Sequence, residues 1–125
     1  AGIAETLALR QAAEARLRSA QFDTQARLIV SLSNLRDAQR VLDNYGEEII
    51  PRTRELLDAQ LATYGAGGGE VLDILDTKRL LIDFRKMVLR AQSDRVRASA
   101  EIEQIVGEDL FRYLHDRPEA GDAAP

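Results

Sequence analysis

The chain has no cysteine and no tryptophan, only three prolines, and aromatic side chains at 5% of its 125 positions. Without cysteine there is no disulfide framework, no thiolate zinc site and no cysteine nucleophile, and redox chemistry assigns no compartment. No run of 18 or more apolar residues occurs, so no segment reads as a bilayer-spanning helix. Charge of one sign is not concentrated either: 17 basic and 21 acidic residues are mixed along the chain, for a net charge of -4. With no contiguous basic block to displace counterions from a phosphate backbone, nucleic acid is not an expected partner. The opening residues, AGIAETLALRQAAEARLRSA, put Glu5, Arg10 and Glu14 where a signal peptide needs an apolar core. They read as the middle of a helix rather than as a targeting segment.

What is present is alanine, leucine, arginine and glutamate. Apolar residues make up 45% and charged residues 30%, the composition of long helices and coiled coils at about the length of one domain. Leu28, Leu35, Leu42, Ile49 and Leu56 recur every seven residues, with Leu32, Ala38, Tyr45 and Ala59 at neighbouring offsets, which predicts a coiled-coil seam. Before Leu28 the stripe is alanine-rich (Ala8, Ala12, Ala15, Ala20, Ala26), allowing close helix approach with weaker burial. The pairs Glu14–Arg18, Asp23–Arg27 and Glu48–Arg52 have the i,i+4 spacing of a solvated helical face. A second pattern covers residues 70–107: Ile74, Leu81, Val88 and Ile102 in one series, interrupted at Arg95, and Phe84, Ala91, Ala98 and Ile105 in its companion.

These patterns predict an all-α fold: a long antiparallel two-helix coiled-coil hairpin with no β-barrel. The first helix takes residues 1–64, the tip turn 65–69, the second helix 70–107, and a short helix with a disordered tail 108–125. At 1.5 Å per residue the arms would be roughly 90 and 55 Å long. Pro51 lacks an amide hydrogen and its ring opposes the carbonyl of Glu47, so a kink is expected between Gly46 and Pro51. In YGAGGGEVLDILD, residues 64–76, the glycines Gly65, Gly67, Gly68 and Gly69 after Tyr64 are expected to supply positive φ for the reversal.

Chemistry-bearing motifs are few. GAGGGEV has a helix rather than a strand before it and glutamate where a phosphate loop needs lysine, and a dinucleotide fingerprint fails for the same reason. His115 has no second histidine to share a metal, and Ser31, Ser33, Ser93 and Ser99 have no histidine base within helical reach. The sequence therefore predicts no enzyme, no cofactor and no metal site. One constellation remains: Glu70, Asp73 and Asp76, spaced by threes on one stripe. Acids at a helix start complement its exposed amides and dipole. The same carboxylates on several converging hairpins would form a negative ring, an electrostatic gate for cations.

EEIIPRTRELLDAQLATYGAG, VLDILDTKRLL and IEQIVG, preceded by LRQAAEARLRSAQFDTQARLIVSLSNLRDAQRVLDNY, together resemble the TolC-like outer-membrane efflux proteins. In that family an Ile-Leu-Pro segment, a Tyr-x-x-Gly turn and a Leu-Asp-hydrophobic-Leu-Asp run precede a long helix closing with glycine. The resemblance covers nearly the whole chain except its tail, and its specificity lies in the order and spacing of pieces that are individually weak. It implies the periplasmic portion of a Gram-negative outer-membrane protein: a homotrimeric, passive duct whose hairpin tips face an inner-membrane pump and its periplasmic adaptor. Tyr64 and Gly67 would belong to the tip, and Asp73 and Asp76 would match paired aspartates at the narrowest point. Two departures stand out. Only one of the family's two helical repeats is present, without membrane strands, and Gly68 and Gly69 occupy turn positions where relatives often carry polar or basic side chains. Two other readings share the helix-bend-helix pattern, the hairpin of a periplasmic adaptor and an unrelated coiled-coil scaffold. The chain lacks the arginine-led leucine motif and the turn serine of the adaptors. As an isolated piece it is expected to self-associate, most simply as a dimer.

Overall fold

A computed structural model describes residues 2–116. All of these except the five residues 66–70 are helical, and no strand occurs among them. Helix α1 (Gly2–Val41) runs into a π-helical segment (Leu42–Ile49), which continues as α2 (Ile50–Gly65); after the turn comes α3 (Val71–Asp116). This all-helical architecture is compatible with a helical hairpin. The expected disordered tail, PEAGDAAP at 118–125, lies outside the described residues.

The chain divides into two units, one of the described residues up to Leu32 together with those from Ala100 on, the other Ser33–Ser99. In the Ser33–Ser99 unit the buried positions of α3 are Ile74, Thr77, Leu81, Ala91 and Ala98, with Phe84 and Val88 half-buried between them. Thr77 extends the companion series by one step toward the turn. Its hydroxyl donates to the Asp73 carbonyl at 3.0 Å, so a polar residue is buried without an orphaned group. Arg95 is exposed, as befits its break in the apolar series.

On the other arm of this unit the covered positions are Leu35, Ala38, Leu42, Tyr45 and Ile49, then Ile50, Thr53, Leu57 and Gln60. The second set is displaced by one residue from the expected one. Leu56 is 51% exposed and Ala59 is also exposed, whereas their neighbours Leu57 and Gln60 turn inward. The cause lies in the π segment. Its bonds run from residue i to i+5, as from the Ile50 amide to the Tyr45 carbonyl, so each turn holds more residues and the stripe downstream slips. Pro51 follows at the start of α2 and cannot donate to the carbonyl that an α-helix would pair with it. Where the sequence predicts a kink between Gly46 and Pro51, the structure has this wider-turned segment, with Gly46 inside it.

In the other unit, residues 3–19 are exposed among the described residues, and of the alanine stripe only Ala20 is half-buried. The seam there begins with Thr24 and Leu28, reaches the buried Ser31, and on α3 centres on Ile105, 2% exposed. Arg27 does not pair with Asp23. Its guanidinium reaches α3 instead, meeting Glu101 at 2.9 Å and Glu108 at 3.6 Å. Glu14 likewise takes Arg10 rather than Arg18 as partner, at 3.2 Å, while Glu48–Arg52 forms as its spacing suggests, at 3.0 Å. The hydrogen bond to Glu101 raises the pKa of Arg27 beyond its ordinary value, so no working pH removes this charge. Helix α3 does not stop at Gly107. It passes through to Asp116, because an exposed glycine costs a helix only about 1 kcal/mol.

Candidate functional site at the glycine turn

Helix α2 ends by a specific hydrogen-bonding device. The Gly68 amide donates to the Thr63 carbonyl and the Gly67 amide to the Tyr64 carbonyl, both at 3.0 Å, while the Ala66 amide reaches Ala62 at 3.1 Å. This nested pair of bonds is the Schellman motif, which satisfies the last helical carbonyls and needs a left-handed residue just past the cap. Gly67 is that residue, with φ of +91°. Gly69 adds a second positive φ, +72°. The sequence assigned positive φ to four glycines, and two do not have it: Gly65 is the last residue of α2, and Gly68 serves another purpose. A Cβ on Gly68 would lie 3.3 Å from the Thr63 methyl, so its bare backbone leaves that methyl room over the turn.

Every residue from Leu61 to Asp73 is exposed, Tyr64 and Glu70 included. Glu70 immediately precedes α3, Asp73 sits in its first turn and Asp76 in its second, all three carboxylates facing solvent. Asp73 is therefore placed to complement the unpaired amides of the helix start. Asp76 makes only a loose contact with Arg79, 4.0 Å, on its own helix. Among the described residues no three histidine, aspartate or glutamate side chains are close enough to hold a metal ion.

The other sequence candidates lie elsewhere. Gly46 sits in the π segment and Pro51 at the start of α2, with the Tyr45 ring against Phe84 at 5.4 Å between centroids. His115 stacks on Phe111, 3.9 Å between ring centres, and its Nδ1 lies 3.0 Å from the Phe111 carbonyl. Sequence reasoning missed Gln60, whose Oε1 is buried without a hydrogen-bond partner. The one-residue slip turns it inward, and nothing in a regular heptad count signals that. No described helix is long and apolar enough to cross a membrane. Compared with models of protein families, with curated proteins and with solved structures, the chain matches none of them.

Proposed function

We propose that the chain is an antiparallel helical hairpin serving as the periplasmic tunnel segment of a trimeric outer-membrane efflux or export channel. It acts as a passive duct, docking by its tip to an inner-membrane pump and a periplasmic adaptor, with no catalytic role. The observation that carries this reading is the turn itself: two long helices joined by a glycine Schellman motif, with exposed carboxylates in the next two turns, in the order found in the TolC-like family.

The antiparallel arrangement is supported by distances within the Ser33–Ser99 unit. Tyr45 lies 20 residues before the end of α2 and Phe84 lies 13 after the start of α3. Those separations are roughly 30 and 20 Å along helices rising 1.5 Å per residue. Two rings that far from the turn and 5.4 Å apart are what arms running back beside each other would give. In the other unit, the Arg27–Glu101 contact brings the two arms together in the same way.

In this reading Asp73 and Asp76 from each subunit converge at the duct entrance, where their summed charge attracts cations in a setting of restricted solvent. With Asp73 and Asp76 both replaced by alanine, a bilayer-reconstituted channel built from this segment should conduct with weaker block by multivalent cations. Block that is unchanged, or conduction that needs no barrel-forming partner segment, contradicts the assignment.

A further inference from the structure

The outward side of α3 carries a second apolar series that the seam does not use. Leu75, Ile82, Leu89 and Val96 recur every seven residues and are 46 to 66% exposed. Cations bracket the first three on both sides. Lys78 and Arg79 stand three and four residues after Leu75. Arg85 and Lys86 stand three and four after Ile82 and four and three before Leu89, so these three apolar side chains lie between positive neighbours on the helix surface. Asp76 and Asp83 follow the apolar positions by one residue and therefore lie about a quarter turn farther round. Over residues 78–97, basic residues outnumber acidic ones seven to two.

Farther along the same helix the pattern is repeated with the sign reversed. Val106, Leu110 and Tyr113 are 55 to 66% exposed. Glu103 stands three residues before Val106, while Asp109 and Asp116 stand three after Val106 and Tyr113, flanking this strip on both sides. Residues 101–116 hold five acidic residues and one basic, Arg112. Glu101 and Glu108, which hold Arg27, are on another face and are not needed here.

We propose that these two strips are a self-recognition surface: the basic-flanked strip of α3 in one copy of this chain receives the acidic-flanked strip of α3 in a second copy. Greasy strips alone would adhere to many partners. Opposed charge along both borders selects an occupant and fixes its register, and a helix carrying both strips supplies that occupant from its own kind. The apolar contact provides most of the attraction, and the flanking pairs, each exposed and individually weak, provide selectivity and a salt dependence. The proposal does not need the efflux reading, because it uses apolar strips and their flanking charges on α3 rather than the carboxylates of the turn.

The test is a charge exchange on the 125-residue chain, followed by sedimentation equilibrium. One variant carries Lys78→Glu, Arg79→Glu, Arg85→Glu and Lys86→Glu; the other carries Glu103→Lys, Asp109→Lys and Asp116→Lys. The unmodified chain should self-associate, more weakly as salt rises. Each variant alone should associate at least about tenfold more weakly while keeping its helical circular dichroism, and an equimolar mixture of the two should recover the lost affinity. If either variant is poorly helical, Ile82→Ser with Val106→Ser in the native charge background gives the same reading by removing the apolar strips, with association again lost. A monomeric unmodified chain overturns the proposal, as do variants that associate undiminished or a mixture that recovers nothing. Binding of the monomer to anionic phospholipid vesicles through the basic strip, without self-association, would overturn it in favour of a lipid surface.

Discussion

Two glycines of this chain illustrate how differently the same residue can matter. Gly67 holds φ at +91°, a conformation in which a Cβ crowds the neighbouring carbonyl. Gly107 sits within regular helix, and a Cβ built there meets no heavy atom within 4 Å. Gly67→Ala should therefore destabilise the protein by about 1 kcal/mol, and Gly107→Ala should stabilise it by about 0.5–1 kcal/mol. Urea denaturation followed by circular dichroism reads both. Equal effects of one sign would mean that Gly67 does not adopt the left-handed cap.

For the elements, the informative feature is the π segment and what it does to the seam downstream. With one residue absorbed between Leu42 and Ile49, α2 presents Leu57 inward and leaves Leu56 outside. Leu57→Ala should cost about 1–2 kcal/mol, and Leu56→Ala no more than about 0.5 kcal/mol, in the same urea assay. The reverse order would restore the uninterrupted seven-residue repeat. Much of the helical pattern was legible in the sequence: the two expected series are buried at Ile74, Leu81, Ala91, Ala98 and Ile105 and half-buried at Phe84, Val88 and Ile102. That stretch contains no proline or glycine between Gly69 and Gly107, so the period runs unbroken. The failure at Leu56 has a local cause, because heptad counting assumes α-helical turns and the π segment between Leu42 and Ile49 departs from them. At the candidate site, sequence located the turn and its exposed acids. It did not separate Gly67 and Gly69 from Gly65 and Gly68, since the roles are set by which amides close the cap rather than by composition. The partners of Arg27 were hidden for a similar reason: local spacing favours Asp23, and only the approach of α3 brings Glu101 and Glu108 within reach.

At the scale of the whole molecule, function rests on whether the chain doubles back at its glycine turn. The exposed carboxylates become a tip, and the two arms become walls, only if α3 returns beside α1 and α2. The absence of native cysteine makes the question directly accessible, because any thiol present is one that was introduced. Cysteines placed as the pair Tyr45→Cys and Phe84→Cys should be joined within one chain by a short bifunctional thiol reagent at low protein concentration. A control pair within the same unit, Tyr45→Cys with Val96→Cys, sits about 18 Å farther along α3 and should not be joined within the chain. Rapid cross-linking within single chains at 45 and 84 is the result predicted. No cross-link at that pair, or one formed only between chains, would contradict the hairpin and the duct reading with it.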